Sequence, residues 1–157
     1  MTGGVVVAAA VACVVVALAV VWVRRRYVVV TVQGESMLPT YRPGERLVVR
    51  RTPARSLRDG QVVVLAGLGH RPGPDGRPEE GAELSPRWIV KRVAAVPGDP
   101  IPRDTVPALR TAPGTRVPDG HLVVLGDNPD RSHDSRHAGY MTTDRLLGVV
   151  LRKVGQP

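Results

Sequence analysis

The sequence has no phenylalanine, and aromatic residues make up only 3% of its 157 positions. A core without large rings must be built from aliphatic side chains. Here valine dominates, and β-branched side chains favour strands. The shortage of aromatics also leaves little for nucleobases to stack on. The formal charge of +8 therefore does not read as a nucleic-acid surface, and no zinc-finger or helix-turn-helix pattern accompanies it. An anionic membrane surface suits such arginine-rich charge better. The single cysteine, Cys13, excludes a disulfide within the chain, and there is no Cys/His ligand cluster. No metal or cofactor is expected. The length has room for one modest domain. Clustered Pro and Gly between the apolar runs predict short strands joined by firm turns.

One long hydrophobic run is present. Residues 5–23 contain no charge, proline or glycine, and as a helix would span about 28 Å, close to a hydrocarbon core of roughly 30 Å. Trp22 and Arg24-Arg25-Arg26 at its end suit a membrane interface. A cleaved signal peptide is the competing reading, with Ala17-Leu18-Ala19 as a small-x-small site. The run is too long for that, lacks a basic leading segment and continues past the cut. We expect a retained transmembrane anchor with its basic flank over residues 1–26, and a β-rich domain over 27–157. Counting basic flanks by the positive-inside rule places that domain in the cytoplasm.

Beyond the anchor the pattern changes to β-type runs at 27–32, 45–51, 61–66, 88–96, 121–125 and 146–154. Arg58-Asp59-Gly60 reads as a turn, 67–87 as a Gly/Pro-rich surface loop, and 102–118 as a proline-broken connection. No segment after residue 27 has helical periodicity. The expected fold is mainly β: a small twisted, partly closed β-barrel-like core preceded by one transmembrane helix.

Three places can carry chemistry. Gly34-Glu35-Ser36-Met37-Leu38-Pro39-Thr40 holds a serine in a stiff corner beside an apolar Met-Leu pair expected to be exposed. It reads either as a polar turn or as a presented nucleophile. A serine hydroxyl needs a base. Histidine is one option, with His121, His133 and His137 near Asp127, Asp130 and Asp134. However, Ser36 is not in a Gly-x-Ser-x-Gly elbow, and His133 and His137 lie in a polar loop. Lys91 is the other. By alternation it shares a face with Ile89, Val93 and Ala95, where lost hydration would lower its pKa and free the amine. It can equally be a solvated edge charge, because the face of Arg92 is just as apolar. The third place is the polar run Gly126-Asp127-Asn128-Pro129-Asp130-Arg131-Ser132-His133-Asp134-Ser135-Arg136. This run reads as a cross-braced turn or as a bed for catalytic groups.

Taken together and in this order, the clusters resemble the serine/lysine signal peptidases of the type I family. Ser36 in its corner resembles the nucleophile box, and Arg58-Asp59-Gly60-Gln61-Val62-Val63 a second short box. Lys91 in Lys91-Arg92-Val93-Ala94-Ala95-Val96-Pro97-Gly98-Asp99 resembles the general-base box, and residues 126–136 the last one. The resemblance implies a membrane-anchored serine endopeptidase that cleaves signal peptides, or one dedicated secreted precursor, after small residues. Ser36 would be the nucleophile, Lys91 the base, and Ser132 the hydroxyl that orients Lys91. Asp127, Asp134, Arg136 and Arg92 would brace the site, and Met37 and Pro39 would shape it. The Ser36 N–H would help hold the oxyanion. Gly34 stands where some members carry a hydroxyl as a second oxyanion donor, and Pro129 and Arg131 depart from the last box. The chain is too short to hold the large accessory β-domain of some relatives. Family orientation puts the domain on the outer face of the cell membrane, opposite to the arginine flank. Two other readings stay open from the residues: a non-catalytic, membrane-tethered peptide-binding β-domain, and a cytoplasm-facing Ser/Lys protease.

Overall fold

The computed structural model describes residues 2–67 and 88–155, with the side chains of the first helix described from Ala10. That helix, α1 (Thr2–Arg26), runs without a linker into β1 (Tyr27–Thr31). Every described side chain of α1 is exposed. Arg26 lies over the Trp22 ring at 5.4 Å. Among the residues whose side chains are described, which in α1 are 10–26 only, no helix is long and apolar enough to cross a membrane.

Among the described residues, the remaining strands are β2 (Arg46–Arg50), β3 (Val62–Ala66), β4 (Trp88–Ala95), β5 (His121–Leu125), β6 (Met141–Thr142) and β7 (Leu146–Lys153). They form one antiparallel sheet in the order β1-β2-β7-β3-β4-β5-β6, curled into a half-barrel. The six expected runs all become strands, trimmed by up to two residues. β6 and the one-turn helix α2 (Ser135–Ala138) are additions, too short to leave a periodicity. Of the expected surface loop at 67–87, all but Gly67 lies outside the described residues.

Burial explains the curl. The run Val62–Ala66 is buried at every position, as a strand packed on both faces must be. Val62 and Val64 face a cluster with Val30, Leu47, Val49 and Val90. Val63 and Leu65 face a second one with Leu57, Val93, Leu122, Val124 and Met141. A third lies under the connection read as merely proline-broken: Ile101, Val106, Leu109 and Val117 close over Ala95 and Val123. β7 sits at the bend. It pairs with β2 and β3 through registers that shift at Val48/Val49 and Val64/Leu65, and such bulges increase local twist.

At that bend the backbone of Arg50 comes so close to Gly148 that a Cβ there would stand 2.1 Å from the Arg50 carbonyl oxygen. Backbone cannot step aside as a side-chain tip can. Gly148→Ala should therefore destabilise the domain by about 1–3 kcal/mol, the usual cost of overpacking, read as a lower midpoint in thermal unfolding. A midpoint equal to wild type would show that the bend relaxes freely.

Candidate active site

The serine corner follows β1. Gly34 holds φ at +74°, a region that side chains with a Cβ rarely enter, and this turns the chain from β1 toward Ser36. Met37 then anchors the corner: it is 1% exposed, inside the first core cluster. The expected exposed Met-Leu pair is thus corrected. Met37 is core, Leu38 is half-buried and Pro39 is exposed after a cis peptide bond. Met37 shapes the corner from beneath because a thioether chain fills the space between valines. Ser36 itself is half-buried.

The loop from Gly126 to Arg136 closes on this corner. The Asn128 N–H donates to the Ser36 carbonyl at 3.0 Å, and its Nδ2 donates to the Glu35 carbonyl at 3.2 Å. Thr40 Oγ1 donates to Asp127 Oδ2 at 2.5 Å. Asp127 also accepts a two-point bond from Arg92, with Nε on Oδ1 at 2.8 Å and Nη2 on Oδ2 at 2.7 Å. Arg92 Nη1 reaches the Gly60 carbonyl at 2.8 Å. Arg92 therefore ties the turn at residue 60, β4, the loop and the serine corner to one guanidinium, a geometry lysine could not supply. These bonds, Arg92's first, hold the Asp127 carboxyl below its ordinary pKa against its partial burial.

Lys91 lies on β4 opposite Val63 and is 4% exposed. The reading as a solvated edge charge does not hold. Its Nζ donates to Ser132 Oγ at 2.8 Å, and Ser132 Oγ donates to Asp134 Oδ2 at 2.6 Å. Asp134, 1% exposed, also accepts from the Gly126 N–H at 2.8 Å, the Arg136 N–H at 3.0 Å and Arg136 Nη1 at 3.0 Å. Burial pushes the Asp134 carboxyl up, but these bonds and the Arg136 charge outweigh it and hold the pKa low. Burial lowers the pKa of Lys91, the Asp134 charge opposes that and Arg136 reinforces it; the net direction is down.

Gly126 joins the two halves. A Cβ there would stand 2.2 Å from Ser132 Oγ and 2.6 Å from the Ser36 carbonyl oxygen. The serine corner and the hydroxyl bound to Lys91 thus meet over a position where only hydrogen fits. Among the described residues, Ser36 Oγ has no hydrogen-bond partner and the Ser36 N–H has no acceptor. Among the described residues, none of the three candidate histidines bonds to Ser36. His133 and His137 stack on each other at 5.2 Å, and His121 packs edge-on against Tyr140. Ser36, Lys91, Ser132, Asp134, Arg136, Arg92 and Asp127 all converge. Thr40, Asn128 and Ser135 were missed by sequence reasoning. Ser135 Oγ accepts the Val124 N–H at 2.9 Å. All three are short polar residues inside the quoted motifs, a weak signal until their partners are known.

The family model described as "Signal peptidase, peptidase S26" matches residues 4–106 and 102–154. The chain is 29% identical to a probable signal peptidase I-1 of Synechocystis, covering 76% of this chain and 67% of the relative. It is 31% identical to the mitochondrial ATP-independent inner membrane protease subunit 1a of Arabidopsis thaliana, covering 84% and 74%. It is 30% identical to signal peptidase IB of Staphylococcus aureus, covering 76% and 73%.

Asp134→Ala should destabilise the domain by about 3 kcal/mol or more at neutral pH, since Arg136 and two N–H groups lose a buried partner. A carboxylate with a lowered folded pKa gives stability that is complete above its unfolded value and is lost as pH falls through the folded one. The gap between wild type and variant should accordingly shrink below about pH 4. Denaturant unfolding at neutral and acid pH measures it, and a gap unchanged by pH would contradict the assignment.

Proposed function

From a chain that belongs to the signal peptidase family, peptidase S26, and is thereby a serine endopeptidase, we propose an enzyme that removes signal peptides, or processes a dedicated secreted precursor, through a Ser36–Lys91 dyad. The observation that carries this reading is Lys91 itself: a buried amine whose pKa is lowered, held by Ser132 beside the serine corner. A neutral amine keeps two N–H bonds and one lone pair. Ser132 engages one N–H, which leaves the lone pair free to take a proton.

Ser36 Oγ attacks the scissile carbonyl carbon while Lys91 Nζ accepts the hydroxyl proton. The C–N bond breaks, and Lys91 gives that proton to the departing amine. Water then attacks the ester, with Lys91 again as base, which releases the new carboxyl end and restores Ser36. The free Ser36 N–H is a donor for the oxyanion. With no hydroxyl at Gly34, this reading leans on the backbone there.

The enzyme is proposed to sit in the cell membrane, with α1 as a single-pass anchor and the catalytic domain on the outer face. The exposed apolar side chains of α1 from Ala10 to Val23 and the apolar run at 5–23 support an anchor. The orientation follows the family rather than the Arg24-Arg25-Arg26 flank. Protease digestion of intact cells tests it: loss of the C-terminal domain supports the outer face, and full protection overturns it.

Ser36→Ala and Lys91→Ala should each lower kcat/KM on a signal-bearing substrate by about 10⁴-fold or more with the fold intact. Normal cleavage by Lys91→Ala would sink the dyad. Activity should fall as pH drops through the Lys91 pKa, because the protonated amine cannot act as base. Arg136→Gln removes a charge that lowers that pKa and leaves Asp134, which raises it, less neutralised. The acidic limb of the pH profile should therefore move to higher pH. A shift to lower pH would contradict the coupling.

A further inference from the structure

The inference rests on the anchor reading and extends it from α1 onto the sheet. Ladder partners share a face, and neighbours along a strand alternate. One face of β1, β2 and β7 buries Val30, Leu47 and Val49. On the other, Val29 stands opposite Val48, and Val48 opposite Arg152. Arg46 stands there opposite Thr31, and Arg50 opposite Tyr27. Val29 and Leu151, the extra residue of the β7 bulge, are each 46% exposed.

The charge on this face is of one sign. β1, β2 and β7 contain no acidic residue, and neither does the stretch 51–58. Among the described residues, the side chains of Arg46, Arg50 and Arg152 have no ion-pair or hydrogen-bond partner. Glu45, the nearest acid in sequence, is engaged by Lys153 at 2.8 Å and by the Arg42 N–H. The Arg51 N–H donates to the Arg26 carbonyl at 2.9 Å. One basic surface therefore runs from the last turn of α1 onto the sheet with no linker between.

We infer that this outer face of β1, β2 and β7 is a docking surface for anionic lipid headgroups. Guanidinium groups match phosphate geometrically. The exposed aliphatic side chains among them suit the acyl boundary rather than a soluble polyanion. Docking would hold the domain against the bilayer from which α1 emerges, and so set the height of the Ser36 corner above it.

The test uses the full chain with Cys13→Ser, carrying a nitroxide at Val48→Cys or, should that variant misfold, at Thr31→Cys on the same face. A label at Ala108→Cys, an exposed position on the third core cluster's connection, serves as control. The protein is mixed with vesicles of phosphatidylcholine alone or with phosphatidylglycerol added. We expect flotation with both, and a loss of label accessibility to a water-soluble relaxant only where phosphatidylglycerol is present. About 1 M salt, at which the Debye length is near 3 Å, should reverse that loss. The triple substitution Arg46→Gln/Arg50→Gln/Arg152→Gln should abolish it, with the control label unmoved throughout. Equal accessibility in the two vesicles overturns the inference. So does equal protection by soluble polyglutamate, which would point to an acidic protein partner. Failure to float with pure phosphatidylcholine would instead overturn the anchor, and the phosphatidylglycerol arm would still read the docking face.

Discussion

A carboxylate withdrawn from water is the constraint on which the site depends. Asp134 is kept charged in the interior by four hydrogen bonds, two from backbone N–H groups, one from Ser132 and one from the Arg136 guanidinium. Taking any of them away leaves a buried charge short of a partner, which costs more than the bond itself is worth. Ser132 is thus oriented, its proton pointing at Asp134 and its lone pairs left for Lys91. The lysine is placed by a carboxylate it does not touch.

The sheet supplies the other half of that arrangement. Lys91 needs an apolar layer to lose its hydration, and β4 gives it one because its neighbour β3 is buried on both faces. Arg92, the next residue, points to the opposite side and spends its charge on Asp127 and Gly60. Adjacent basic residues on one strand thus have opposite tasks. One is stripped of water and solvation, the other is neutralised and used as a tie. The period of two along a strand keeps those environments apart.

The proposed membrane relations have the same physical character. Where acids are present, as at Glu45, Asp127 and Asp134, they are engaged by cations of the fold itself. Where none is found among the described residues, on the outer face of β1, β2 and β7, arginines stand without an internal partner next to exposed valine and leucine. Among the described residues, no acid of the fold engages those arginines, and the proposed partner is an external anion.

Much of this was legible in the order of residues. The six longer strands follow from runs of β-branched side chains bounded by glycine and proline, since local sterics and hydrophobic patterning act over a few residues at a time. The motifs around Ser36, Lys91 and residues 126–136 were likewise readable, because each is a contiguous stretch. What the chain alone left open were choices between faces and partners. Alternation offered apolar neighbours to both Lys91 and Arg92, and only the ladder with β3 and the closing loop buried the first and paired the second. Met37 read as an exposed side chain of the corner, yet it fills the core, because its neighbours Val30, Val49, Val62 and Val90 come from four different strands. Thr40, Asn128 and Gly126 acquired meaning only when segments some 90 residues apart met. A glycine that must leave room for Ser132 and for the Ser36 carbonyl looks like any turn glycine until both have arrived. Local preferences are written residue by residue, whereas desolvation, close approach and the choice of hydrogen-bond partner belong to the folded chain.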